Sequence, residues 1–247
     1  MANSYTPALG VVRDAWRTIH PEGDREQPRQ SAADAARAVT EYLLNKQFLL
    51  AYDVRAQQTV FIGAGVELVL GIEPHAFSME DLYERLHPDD APLVAHATAL
   101  AAEFSQELGP ACHDQVFSVD YRLRHRAGHY VRVLRQSFVL QLDAEGTPVV
   151  IGGVYTDITH HKRTHEVRFH GSHPGFAAWL TQRVQRTETD LSRREQQVLD
   201  LVLEGLSSAE IADRLCVSRH TVNTHRRNIH RKEPARDLSR LLQHLDV

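Results

Sequence analysis

A chain of 247 residues with 42% hydrophobic residues is long enough to bury one or two ordinary globular cores. The formal net charge of −4 is not the average of a nucleic-acid binder, no apolar run approaches the ~18 residues of a membrane helix, and MANSYTPALGVVRDAW at the start lacks the charged head and apolar core of a signal peptide. Two cysteines, Cys112 and Cys216, make neither a disulfide framework nor a zinc set, so the expectation is a soluble cytoplasmic protein that does not engage a membrane.

Residues 1–30 have mixed polarity and several prolines, and are expected to be poorly ordered, with Val11, Val12 and Trp16 as a docking segment. Residues 31–47 open with SAADAARAVTEYLLNK, an Ala-rich helix capped by Ser31. From 48 to 160 the pattern changes to mixed helix and strand. Residues 48–54 and 58–62 read as a hairpin. Short helices follow, then a longer one over about 90–108 whose start is signalled by Pro88 and Asp89. Phe117, Val119, Tyr121 and Leu123 alternate with Ser118, Asp120, Arg122 and Arg124, the period-two pattern of a half-buried antiparallel strand. A turn at His125-Arg126-Ala127-Gly128 leads to a second strand reaching Leu140, and a turn at Asp143-Ala144-Glu145-Gly146 leads to a third over 149–155. These features describe an α+β domain with a five-stranded antiparallel sheet and helices.

A helix leaving Asp157-Ile158-Thr159 is expected to run to about His170. Gly171-Ser172-His173-Pro174-Gly175 then breaks it. Beyond, Phe176, Leu180 and Val184 recur every four residues, with Trp179 alongside. This short amphipathic helix needs an apolar surface to cover it. Residues 161–189 are accordingly expected to be a linker with short helices. Its histidines, His160, His161, His165, His170 and His173, form a polar cluster. His161 and His165, four apart on a helix, could share a metal, but no HExxH carboxylate accompanies them, and no metal is expected.

Residues 190–247 read as helices alone. Ser192 with Glu195 and Ser207 with Glu210 each fit a capping box. Gly205 ends the first helix. Val198, Leu199 and Val202 share one face of that helix, as do Ile211, Ala212 and Leu215 on the next. Ser218 caps a third helix over 219–232. There Val222 and Ile229 share a buried stripe with His225 beside them. His220, Asn223, Thr224, Arg227 and Arg231 fall on a neighbouring face without a carboxylate. Over 219–236 six cations, Arg219, Arg226, Arg227, Arg231, Lys232 and Arg236, stand against Glu233 alone. Such a patch attracts DNA even on a mildly acidic chain. A helix fits the major groove, where Arg and Asn pair with purine edges. Pro234 ends this helix, and a fourth, over about 236–245, gathers Leu238, Leu241, Leu242 and Leu245 on one side.

The run LSRREQQVLDLVLEGLSSAEIADRLCVSRHTVNTHRRNIHRK at 191–232 closely resembles the LuxR-type helix-turn-helix domain of bacterial transcription regulators. The resemblance implies a four-helix domain whose third helix reads double-stranded DNA. Asn223, Thr224 and Arg227 would contact bases, and His220, Thr221, Arg226 and Arg231 phosphates. It also implies a homodimer held on DNA by the fourth helix, through Leu238, Leu241, Leu242 and Leu245. LHPDD at 86–90, YRLRHRAGHYVRV at 121–133 and IGGVYTDITHHK at 151–162 together resemble a PAS domain. This implies a sheet cupping a cavity, with Asp157, Ile158 and Thr159 coupling the last strand to an outgoing helix. The amphipathic helix with Trp179 and Leu180 is expected to dock on the sensor or the DNA-binding domain, the signal changing that docking rather than twisting a rod.

Cavities of this kind host haem, flavin, a small metabolite or nothing, and the sequence requires no cofactor. The Asn-Cys-Arg-Phe run of flavin photoreceptors is absent, since Cys112 stands in an Ala-Cys-His context. His96, on the longest helix, is the candidate haem ligand, although the place suits an ordinary packed or surface residue as well. With no nucleophile–base set and no Gly-rich phosphate loop, the chain reads as a non-enzyme. It is expected to be a sequence-specific transcription regulator whose PAS-like domain senses a ligand or mediates dimerisation. The alternatives are an interaction adaptor with little DNA role, or a haem-based sensor regulator.

Overall fold

The computed structural model describes residues 7–20, 29–164, 166–188, 192–203 and 206–232. They fall into two compact units that divide after Ala177. The first contains α1 (Pro7–Ile19), α2 (Arg29–Thr40), β1 (Gln47–Asp53), β2 (Gln58–Ile62), α3 (Gly65–Leu70), α4 (Met79–Glu84), α5 (Ala91–Leu108), β3 (Phe117–Arg124), β4 (Tyr130–Leu142), β5 (Pro148–Asp157) and β6 (Phe169–Gly171). The strands form one sheet in the order β2-β1-β5-β4-β3-β6. Every neighbouring pair is antiparallel.

Side-chain alternation sends β1 to two layers at once. Leu49 and Ala51 pack under Ala32 and Ala36 of α2, where small side chains let the helix lie close to the sheet. Leu50 and Tyr52 face the opposite side and line a cavity. Phe48 pairs with Tyr155 of β5, and their rings stack at 4.5 Å. All but the first residue of β1 is therefore buried.

Five expectations are corrected here. The sheet has six strands, not five. β6 spans three residues, too few to show a period, and it pairs with β3 because Phe169 and Phe176 pack with Phe104 and Phe117 at ring separations of 5.1–6.4 Å. Gly171 permits this packing, since a Cβ there would stand 2.6 Å from the Phe176 ring. No helix leaves Asp157-Ile158-Thr159. The chain turns at 159–161 and runs without regular structure to β6, so residues up to Ala177 belong to the first unit rather than to a linker, and His161 is not on a helix face. His165 lies outside the described residues. Residues 7–19 are helical: Leu9, Val12, Arg13 and Trp16, at spacings of three and four, are buried against α4 and α5, whereas Val11 is 38% exposed. The Ala-rich helix ends at Thr40, six residues before the expected end.

A buried ionic network joins the layers. Asp90, at the N-terminus of α5, is 2% exposed and accepts from the backbone N, Nε and Nη2 of Arg122 on β3 at 2.8, 3.0 and 2.6 Å. Arg132 of β4 reaches both Asp90 and Asp120, its Nε donating to Asp120 at 2.6 Å. Lys162 donates to Asp120 at 2.7 Å, and the Arg168 backbone N–H donates to the same carboxylate at 3.0 Å. The LHPDD signature thus marks a clamp between α5 and the sheet, and Lys162 and Arg168 extend the clamp to the approach to β6. Breaking a buried ion pair by removing one partner strands the other charge. Asp90→Ala should therefore cost about 3–5 kcal/mol, read as a lowered urea midpoint at unchanged slope.

The second unit begins within α6 (Phe176–Glu188) and continues through α7 (Arg193–Leu203), α8 (Ser208–Leu215) and α9 (Arg219–Lys232). Val198, Ile211, Ala212 and Val222 form its buried core, flanked by Leu201, Leu206, Leu215 and Val217. Residues 233–247, with the expected fourth helix, lie outside the described residues.

Candidate nucleic-acid interface and cavity

Three local devices set the pose of α9. Ser207 and Glu210 form a reciprocal capping box at the start of α8. Ser192 and Glu195 make the same exchange before α7, at 3.3 and 2.7 Å. The paired hydrogen bonds to Ser207 hold the Glu210 carboxyl below its ordinary range. Between α8 and α9, Cys216 adopts φ 52°, ψ 46° and its N–H bonds back to Ala212 and Asp213, a left-handed cap usually given to glycine. Cys216 is exposed, not the packed residue its position in the turn leads one to expect. Val217 follows with a bond to the Ala212 carbonyl at 3.0 Å. Ser218 Oγ then accepts from the Thr221 backbone at 3.0 Å and lies 2.7 Å from its hydroxyl, which caps α9.

Burial of Val222 fixes the roll of α9. Asn223 and His220 are exposed, while Thr221 and Thr224 are half-buried and His225 lies inward. Arg226, Arg227 and Arg231 belong to the same helix, though their side chains lie outside those described. Among the described side chains of this carboxylate-free face, His220 and Asn223 are open to solvent and Thr224 is half-buried, polar hydrogen-bonding groups at helical spacing.

The first unit holds a cavity between the sheet and the helices α1, α4 and α5, with an internal volume of about 70 Å³. Apolar groups dominate its lining, among them Val12 and Trp16 of α1. Its polar lining centres on Arg135 of β4, 7% exposed, with Tyr52, Tyr83 and Tyr155, all 3% exposed or less. Burial pushes the Tyr155 hydroxyl up to about 12, and the Tyr52 and Tyr121 hydroxyls also rise for the same cause. Arg135, Tyr52 and Tyr83 were not singled out from the sequence. A signal existed, because Arg135 occupies an inward position between Val133 and Val139 where alternation calls for an apolar residue.

His96 is half-buried on α5 but does not line the cavity. The volume is also far below the size of a porphyrin, so these residues do not fit haem. Among the described residues no three His, Cys, Asp or Glu side chains are grouped to hold a metal, and no helix is long and apolar enough to cross a membrane. Asp157 and Thr159 form a local turn: Asp157 Oδ1 accepts from Thr159 N at 2.9 Å, and Thr159 Oγ1 accepts from Arg132 N at 3.0 Å. Trp179 is half-buried and Leu180 buried on α6.

A side chain at Cys216 pays for the left-handed conformation. Cys216→Gly should therefore stabilise the second unit by about 0.5–1 kcal/mol, and Cys216→Val should destabilise it, both read by thermal unfolding.

Comparison with known proteins divides the chain in the same way. The family of bacterial regulatory proteins of the luxR type matches residues 189–245, and the PAS fold matches residues 59–155. No curated protein matches the chain. Among solved structures, the N-terminal domain of a diguanylate cyclase with PAS/PAC sensor from Marinobacter aquaeolei is 27% identical, covering 47% of this chain and 100% of that one at a TM-score of 0.37. A PAS domain from Colwellia psychrerythraea is 17% identical, covering 51% and 96% at 0.39. The phage VqmA–DPO complex is 14% identical, covering 88% and 89% at 0.33. The helix-turn-helix domain is a binding domain and not a catalytic one. The chain joins an N-terminal PAS domain to a LuxR-type helix-turn-helix domain and is a DNA-binding regulator with a sensory domain.

Proposed function

We propose that the chain is a non-enzymatic, ligand-responsive transcription regulator that acts in the cytoplasm as a homodimer. Asn223, Thr224 and Arg227 of α9 would read base edges in the major groove. His220, Thr221, Arg226 and Arg231 would hold phosphates, which position the helix without specifying sequence. The observation that carries this reading is the exposed, carboxylate-free face of α9, aligned by the burial of Val222 and by the Ser218 cap. The apolar stripe Leu238, Leu241, Leu242 and Leu245 would join two copies, placing half-sites about one helical turn apart, roughly 10 base pairs. A small molecule in the PAS cavity would alter the DNA-bound state through the segment from Asp157 and Thr159 to Trp179 and Leu180. The pinning of β6 by Phe117 and Phe176 supports a packed path rather than a continuous helical rod.

One operator-binding series tests these roles. Arg227→Ala should weaken specific binding by about 1–3 kcal/mol and relax preference at one base position. Arg226→Ala should weaken all sequences alike and lower the salt slope by about one. Equal loss of specificity in both variants overturns the base-reading assignment. Sedimentation on the same duplex should give two chains per operator, and a single chain on a full site overturns the dimer. Trp179→Ala should bind the operator with unchanged affinity yet lose the response to effector, whereas a retained response removes Trp179 from the path.

A further inference from the structure

The arginines buried in the first unit differ in one respect. Arg13 pairs with Glu80, Arg55 with Asp143 at 2.7 Å, Arg122 with Asp90 at 2.6 Å, and Arg132 with Asp120. Arg135 is buried to the same degree as Arg13 and Arg132 and more than the half-buried Arg55 and Arg122, yet no carboxylate among the described residues pairs with it. Its polar surroundings are an Nη2 bond to Thr98 Oγ1 at 2.7 Å, the neutral hydroxyls of Tyr83 and Tyr155, and the Tyr121 ring, whose centroid lies 5.7 Å away. Its Nε is buried without a hydrogen bond. The hydroxyls of Tyr52 and Tyr83, which line the same cavity, are also buried without a well-formed hydrogen bond, and the groups they face, Arg13 and Arg135, are donors and leave the phenol protons without an acceptor.

Every unfilled group here can donate. An arginine only donates, and each phenol has a proton to give. A buried guanidinium without an anion carries a desolvation cost that the other four arginines offset with a carboxylate. The unmet requirement is a compact anion with acceptor oxygens and no donors. Beyond Thr98, Ser105, Gln115, Ser137 and Tyr155 the rest of the lining is apolar, so the body attached to that anion is mainly apolar too. At roughly 10–15 Å³ per water-sized group, the cavity of about 70 Å³ admits about five to seven such groups, the size of isovalerate, with benzoate at or just beyond the upper limit.

We propose that the PAS cavity binds a small monocarboxylic acid with an apolar body, its carboxylate held by Arg135, Tyr52 and Tyr83. The proposal rests on the reading of this domain as a ligand sensor and names the class of ligand. The carboxylate accepts from the Arg135 fork and from the two phenols, while the body lies between Trp16 of α1 and the sheet. α1 closes the cavity, so occupancy also bears on the docking of the N-terminal helix.

The full-chain protein is titrated calorimetrically with benzoate and isovalerate, and with benzamide and isovaleramide as neutral matches of the same shape. Operator binding of the unliganded protein is measured in parallel. At least one acid should bind, and its amide should bind at least about tenfold more weakly because an amide brings donors to a site made of donors. Arg135→Met should weaken the acid by at least roughly 30-fold, the cost of removing one partner of a buried charge pair. The same variant should raise the melting temperature of the unliganded protein, because it removes an uncompensated buried charge. A purely structural Arg135 would lower that temperature instead. Arg135→Lys keeps the charge without the fork and should fall between the two. Amides binding as tightly as acids, acid binding that survives in Arg135→Met, or no acid binding at millimolar concentration would each overturn the proposal. If Arg135→Met does not fold, the acid–amide comparison on the unaltered protein decides. Retained operator binding in the parallel measurement distinguishes failure of the carboxylate assignment from failure of the regulator reading.

Discussion

The buried pairing of Asp90 and Asp120 with Arg122, Arg132 and Lys162 is the interaction on which the sensory domain depends. Two carboxylates, each 4% exposed or less, are surrounded by three cations from β3, β4 and the segment after β5. Each member is tolerable inside only because the others are present. The arrangement sets the N-terminus of α5 on the sheet, and α5 in turn forms one wall of the cavity. Lys162 and the Arg168 backbone then bring the chain back to the edge of the sheet as β6. The wall of the cavity and the exit path of the chain thus both depend on one electrostatic cluster.

The two units spend polarity differently. In the first, charges are drawn inward and matched, and the exception at Arg135 faces the cavity. In the second, four buried residues form the core, and the polar groups go either to caps or to solvent. Ser192, Ser207 and Ser218 each meet an orphan backbone donor at a helix start, so the short helices α7, α8 and α9 rely on capping as well as on burial.

Much of this was legible beforehand because it is local. Both capping boxes, the alternation of β3, the span of α5 and the helices of the second unit follow from patterns within a few residues. What escaped depended on distant contacts. β6 is a three-residue strand whose reason for existing is the Phe104–Phe117–Phe176 cluster. The helix expected after Thr159 gave way to an extended path because Asp120 binds Lys162 and Arg168. α1 carries a regular stripe of Leu9, Val12, Arg13 and Trp16, but a buried arginine within the stripe and prolines nearby masked it. The buried ionic partners could not be paired by reading alone, since Asp90 and Arg122 stand 32 residues apart.

By itself the sequence determined that the protein has a sensory α+β part and a helical DNA-reading part, because period, caps and turn residues act over one or two helical turns. It also placed Val222 on the inner face of α9 and His220 and Asn223 off it, since helical spacing separates those faces without any other segment. Only the tertiary structure decided where the cavity lies, that α1 closes it, and that Arg135 stands in it without a carboxylate. Those properties belong to the sum of side chains from six or more elements, and whether a buried charge is compensated depends on which distant residue arrives beside it.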